Sequence, residues 1–173
     1  MLKKIVVIGP ESTGKSTLAK SLADHYKCKW VQEYARQYLN NLDQPYQYED
    51  LEAIGRGQVG LEDEAIQNAA KLLICDTDLR VIQVWSEHKY GKVSPWVKSQ
   101  IESRKYDLYL LTDIDIPWQE DPQREHPDPV MRKYFFEWYE RLLKQSKVNY
   151  AVISGDFENR MKESIRTINK LLQ

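Results

Sequence analysis

The chain has 173 residues, enough for one domain (1–173) with a sizeable core. It is 42% apolar and 29% charged, and its 25 Lys and Arg balance 26 Asp and Glu to a net charge of −1, so it carries no electrostatic footprint for nucleic acid or for an anionic membrane. Cys28 and Cys75 are too few for a disulfide framework, no apolar run approaches the roughly 20 residues of a membrane span, and the apolar start is too short for a signal peptide; the expectation is a cytoplasmic protein.

"KKIVVIG" (3–9) is β-branched and continuously apolar, as a buried parallel strand is. From Lys15 onward Leu18, Leu22 and Tyr26 recur at intervals of four and mark one face of a helix. "KWVQEY" (29–34) is a weak second strand. Asp50 to Ala70 reads as a helix that contains Gly55, Gly57 and Gly60. Each glycine costs about 1 kcal/mol against alanine, so the three mark either a close approach or a break. "KLLICD" (71–76) and "DLYLLTD" (107–113) are further buried strands. Between them "DLRVIQVWSEHKYG" and "PWVKSQIESR" read as helices parted by Gly91. Four of the seven prolines fall between Pro117 and Pro129, which makes about 115–130 a long loop; such loops in compact domains are functional or disordered. Met131, Phe135, Trp138 and Leu142 restore a helical face, "YAVISG" (150–155) is a last strand, and Phe157, Met161, Ile165, Ile168 and Leu172 form the stripe of a final helix. Strands alternating with helices imply an α/β fold around a parallel sheet.

Gly9 to Ser16, "GPESTGKS", fits G-x-x-x-x-G-K-[ST] and has a strand before it and a helix after it. Glycines let backbone N–H groups wrap a phosphate, and the helix points its positive end at the same anion. Gly9, Glu11, Ser12, Thr13, Gly14, Lys15, Ser16 and Thr17 are therefore the expected nucleotide set. Lys15 reaches the β- and γ-phosphates, and the Ser16 hydroxyl ligates Mg²⁺. Asp76 leaves a buried strand in "LLICDTD", placed either to hold the Mg²⁺ shell or to take a proton from an acceptor hydroxyl. Asp78 opens the next helix, where it is either a cap or a site residue. In "QEYARQY", Glu33 and Arg36 share a face on a helical turn, as a substrate-binding pair or as a surface ion pair. Arg124 and Arg132 in the proline-rich loop suit a lid that closes over a transferring phosphoryl group; the alternative is a solvated loop. No N-K-x-D follows the later strands, which argues against a GTPase, and His25, His88 and His126 lack metal-ligand spacing.

"GPESTGKSTL", "QEYARQY", "CDTD", the "VW" at 84–85, "YDLYLLT" and "DIPWQEDPQRE" together resemble the bacterial ribosylnicotinamide kinase domain of the NadR family, from Ile5 to about Arg132. The resemblance implies a P-loop kinase with a five-stranded parallel sheet, flanking helices in three layers and a lid loop. The implied reaction moves the γ-phosphoryl group of ATP, with Mg²⁺, to the 5′-hydroxyl of nicotinamide riboside. Because the chain starts at the kinase strand, the expectation is a stand-alone kinase without the adenylyltransferase or repressor functions of multidomain relatives. Asp76 or Glu33 is the implied base, with Asp76 favoured. Arg124 and Arg132 carry phosphoryl charge; Glu33, Arg36 and Asp78 bind the acceptor. Tyr34, Trp85 and Trp118 are the aromatic candidates for a cationic pyridinium ring, and Ser154 to Phe157 for an adenine platform. The rivals are a P-loop kinase for another nucleoside or small alcohol, and a nucleotide-dependent switch with no acceptor.

Overall fold

The computed structural model describes residues Met1–Gln173. Its elements are β1 (Lys3–Ile8), α1 (Lys15–Tyr26), β2 (Lys29–Val31), α2 (Tyr34–Asn40), α3 (Tyr48–Asn68), β3 (Leu72–Asp76), α4 (Leu79–Tyr90), α5 (Pro95–Ser103), β4 (Leu108–Thr112), α6 (Pro129–Gln145), β5 (Tyr150–Ile153) and α7 (Phe157–Leu172). The strands form one five-stranded parallel sheet in the order β2-β3-β1-β4-β5. β1 lies at its centre, where connections leave to opposite sides; in such sheets the crevice beyond the strands' carboxyl ends is the ligand site.

Alternation along the central strands builds two cores. Ile5, Val7, Ile74, Leu108 and Leu110 meet Leu18, Leu22 and Ile168 of α1 and α7. Val6, Ile8, Leu73, Cys75, Tyr109 and Leu111 meet Val81, Val84, Phe135, Tyr139 and Leu143 of α4 and α6. The sheet is thus the middle of three layers, in keeping with strands that are apolar on both faces. A third cluster, including Ala35, Leu51, Ile54, Leu79 and Val97, joins α2 and α5 to α3 and α4. No helix is long and apolar enough to cross a membrane.

Two local expectations change. "KWVQEY" is a strand only to Val31; Glu33 then stands, without a side-chain capping bond, at the N-terminal boundary of α2, a helix that periodicity did not reveal because it spans seven residues. α3 runs unbroken through its three glycines. Gly57 is the close approach: a Cβ there would lie 2.0 Å from the Tyr34 ring, whereas one at Gly60 meets nothing within 4 Å. Buried Gln58, next along α3, accepts from Tyr34 N–H at 2.8 Å and donates to Gln32 O at 3.2 Å, fixing the turn that carries Glu33. In urea denaturation, Gly57→Ala is expected to lose about 1–3 kcal/mol by overpacking the Tyr34 ring. Gly60→Ala is expected to gain about 0.5–1 kcal/mol from helix propensity. Equal effects at the two positions would show that Tyr34 does not depend on Gly57.

Candidate active site

The turn after β1 wraps its N–H groups inward. Gly9 has φ 151°, Ser12 φ 56° and Gly14 φ 74°. A Cβ on Gly9 would strike Thr112 Oγ1 at 2.4 Å, so the loop lies directly on the end of β4. Its carbonyls are taken by donors. Pro10 O accepts from the Thr13 hydroxyl and from Lys15 Nζ, both at 2.8 Å; Ser12 O accepts from Arg132 at 3.2 Å and Thr13 O from Arg160 at 2.8 Å. Thr13 and Thr112 also share a hydroxyl–hydroxyl bond of 2.7 Å. None of the N–H groups from Glu11 to Thr17 donates to another backbone carbonyl. Fixed carbonyls and free amides at a helix N-terminus form an anion nest.

This nest opens into a cleft of about 630 Å³, lined by the loop, Glu33, Arg36, Trp85, Arg124 and Arg160 among others. Asp76 lies beside Ser16 and outside the cleft lining, 1% exposed, and its Oδ1 is buried without a hydrogen-bond partner. Burial, then the charge of Glu33, pushes the Asp76 carboxyl up to about 7; the Ser16 hydroxyl, Lys15 and Arg36 hold it from going further. A groove of about 840 Å³ along β2 shares Ser16, Glu33 and Arg36 with the cleft and is also lined by Asp76, so Glu33 faces both spaces.

The proline-rich segment between Thr112 and Pro129, which contains the loop expected as a lid over about 115–130, is docked on the side chains of the Gly9–Thr17 loop. The Glu11 carboxylate accepts from the N–H groups of Glu125 and His126 at 3.0 and 3.1 Å. Ser12 Oγ accepts from Gln119 N–H at 2.8 Å and from Arg124 at 3.3 Å. Arg36 pairs with Asp121 at 2.9 Å, and Gln123 donates to Asn40 at 2.6 Å. Glu11 and Ser12 thus face the cleft with their backbone and hold the lid with their side chains.

Several expected site residues stand elsewhere. Asp78 lies outside the cleft: it caps α4 through Arg80 N–H at 3.0 Å, and its other oxygen accepts from the Arg80 guanidinium at 2.7 Å and the Tyr109 hydroxyl at 2.8 Å. Those bonds use its acceptor capacity, so it is corrected from acceptor ligand to part of the frame. Arg132, 8% exposed, donates to Ser12 O and Ile116 O and borders a different cavity. It ties Ile116, at the start of the proline-rich segment, to the Gly9–Thr17 loop and does not line the cleft, so it is corrected from a phosphoryl-facing residue to part of the frame. Tyr34 lines the β2 groove, and Trp118 lies near Arg124 and Arg132, 6.0 and 5.9 Å from ring centroid to guanidinium, outside the cleft lining. Trp85 lines the cleft, and so does Phe157 from the expected adenine platform.

Arg160 is the main residue that sequence reading missed. It is 4% exposed and donates to Gly155 O at 2.7 Å, Thr13 O at 2.8 Å and Asp113 O at 3.0 Å, and it pairs with Asp115. It occupies a polar position of an amphipathic helix, and such a position reads as solvent-facing.

The AAA-domain family model matches residues 4–160. The chain belongs to that family. It is also similar to the trifunctional NAD biosynthesis/regulator protein NadR of Salmonella typhimurium (strain LT2), at 27% identity over 99% of this chain and 43% of that protein. The chain therefore spans less than half the length of this relative. NadR structures share its fold at 22% identity: one in complex with NAD and AMP-PNP has a TM-score of 0.80 over 98% of this chain and 49% of that one. Another, in complex with NR, has a TM-score of 0.79 over 98% and 51%. Thymidylate kinase from Ehrlichia chaffeensis has a TM-score of 0.68 at 15% identity, over 99% of this chain and 98% of that one. The resemblance carried by the motifs thus runs along the whole of this AAA-family P-loop domain.

The raised Asp76 carboxyl has a consequence for stability. The folded protein holds this proton more tightly than the unfolded chain, whose Asp titrates near about 3.9. Stability is therefore lost as pH rises from about 4 toward about 7. Asp76→Asn removes that loss. Without nucleotide or metal, its gain in Tm is expected to be larger at pH 8 than at pH 5 by about 2 °C or more. A gain independent of pH would show that the Asp76 carboxyl is not raised.

Proposed function

We propose that this chain is an ATP-dependent small-molecule kinase that phosphorylates the 5′-hydroxyl of nicotinamide riboside to nicotinamide mononucleotide. In this reading residues 1–173 act as one kinase domain, residues about 115–130 are its lid, and the protein works in the cytoplasm on ATP. The observation that carries the reading is the juxtaposition of a free N–H nest with a cleft lined by Glu33 and joined, at Glu11, Trp85 and Tyr139, to an aromatic compartment. A switch that only hydrolyses ATP has no use for that compartment. NadR complexes with AMP-PNP and with NR support the choice of donor and acceptor.

ATP places its phosphates on the amides of Glu11 to Thr17, and Lys15 exchanges Pro10 O for the β- and γ-phosphates. Mg²⁺ would fit here: the Ser16 hydroxyl and Asp76, whose Oδ1 is buried without a partner, are hard oxygen donors that would hold it. When bound it neutralises charge that develops on the β- and γ-phosphates. Arg124 adds positive charge from the lid, and Arg36, paired with Asp121, links lid closure to the acceptor side.

Glu33 is the base. Although the sequence favoured Asp76, that carboxyl is buried behind Ser16, whereas Glu33 is half-buried and lines the cleft an acceptor enters. A base needs hydrogen-bond reach before its pKa matters. Glu33 takes the 5′-hydroxyl proton as that oxygen bonds to the γ-phosphorus; the bond from phosphorus to the β–γ bridging oxygen breaks, and ADP leaves with the electron pair. The pyridinium ring enters a cavity of about 200 Å³ that shares Glu11, Trp85 and Tyr139 with the cleft. Tyr46 and Trp85 face each other there at 6.4 Å and offer aromatic faces to a cationic ring, while the charges of Glu11 and Glu125 are matched by Lys89 and Arg132 on the same cavity.

ADP release by the purified protein with Mg²⁺·ATP, with and without nicotinamide riboside, tests this. Turnover is expected only with the acceptor, to vanish in Lys15→Ala, and to fall by about 10²–10⁴-fold in kcat in Glu33→Gln with little change in KM for ATP. Turnover with another nucleoside alone would replace the acceptor. Turnover that ignores every acceptor would leave a nucleotide switch.

A further inference from the structure

Strand alternation makes "DTD" a puzzle. Leu72 and Ile74 face the α1 layer, while Leu73 and Cys75 face α4 and α6. Asp76 continues the first set, and by the period of two Asp78 should follow it. Instead Asp78 accepts from the hydroxyl of Tyr109, a core residue of the opposite layer. The chain changes faces at Thr77, whose φ of 70° is a genuine outlier for a β-branched residue. Thr77 N–H donates to Val7 O at 2.9 Å, so the turn is anchored to β1 as it reverses.

A backbone held this way persists only where its surroundings over-determine it. Here the surroundings are three buried polar side chains: Asp78 at 3%, Arg80 at 5% and Tyr109 at 0% exposure. Their bonds close a ring, Tyr109 to Asp78, Asp78 to Arg80 and Arg80 to Tyr109. Tyr109 stands on β4, paired in register with Val6 of β1. The ring therefore reaches under β1 and fixes the exit of β3 to the strand on the far side. As a stabilising device it is a poor choice, because an apolar trio of the same volume is often as good or better. What it does supply is one position for the turn.

We propose that Asp78, Arg80 and Tyr109 are positioning residues whose buried ring sets the Thr77 turn and so holds the Asp76 carboxylate beside Ser16. The proposal rests on the reading of Asp76 as the carboxylate of the Mg²⁺ side. Tyr109→Phe is the gentlest test, since it deletes one hydroxyl from a packed ring; Asp78→Asn is the stronger variant.

Calorimetry of ADP with and without Mg²⁺ reads the effect without turnover. In wild type Mg²⁺ is expected to tighten ADP. In folded Tyr109→Phe that gain is expected to shrink about tenfold while ADP alone binds as in wild type. In turnover, kcat is expected to fall about tenfold with KM for the acceptor within about twofold, as for a misplaced reacting group. Asp76→Asn, run alongside, separates the two layers of the claim. If Asp76→Asn abolishes the Mg²⁺ gain and Tyr109→Phe keeps it, the positioning role is overturned and the reading of Asp76 stands. If Asp76→Asn keeps the gain, the reading of Asp76 falls and the positioning role falls with it.

Discussion

Everything at the candidate site depends on a loop whose carbonyls are occupied and whose amides are not. A phosphate nest works only if the N–H groups converge before the anion arrives. Here convergence is imposed both from within the loop and from outside it: Thr13 and Lys15 hold Pro10 O, while Arg132 holds Ser12 O and Arg160 holds Thr13 O. Two guanidiniums, nine-tenths or more buried, are thereby used as multiple donors to backbone oxygens. The planar, always-charged fork of arginine suits that use where the point charge of lysine does not. The approach of Gly9 to Thr112 seats the same loop on β4.

The side chains of the loop serve a second purpose. Glu11 and Ser12 accept hydrogen bonds from the lid, so the segment that cradles phosphate with its backbone grips the lid with its carboxylate and hydroxyl. Arg36 and Asn40 on α2 hold the lid from the other side. The Gly9–Thr17 loop and α2 are thus joined through one element. In the kinase reading proposed above, that arrangement suits water exclusion during transfer.

The sequence made the architecture legible because its physics is local. Apolar runs ending in Asp76 and Thr112, helical stripes between them, and a phosphate motif with strand and helix in place fix an α/β sheet with the cleft at its carboxyl end. The charged frame was not legible. Arg160 looks like a solvent-facing residue of α7, Arg132 like a lid arginine, and Asp78 like a partner of Asp76, because each is placed by tertiary contacts with no sequence period. Gln58 and Gly57 are hidden for the same reason: their partner is the turn at Tyr34, on another element. Glu33 and Asp76 were not told apart by spacing alone, and the structure distinguishes them by their unequal burial.

The destination of the γ-phosphoryl group is the most direct measurement. The protein is incubated with Mg²⁺, nicotinamide riboside and ATP labelled in its γ-phosphoryl group, and phosphorus NMR follows the label. A kinase of the kind proposed puts the label into a phosphate monoester on the nucleoside, in step with ADP. Label that collects as inorganic phosphate, at a rate the nucleoside does not alter, would contradict phosphotransfer.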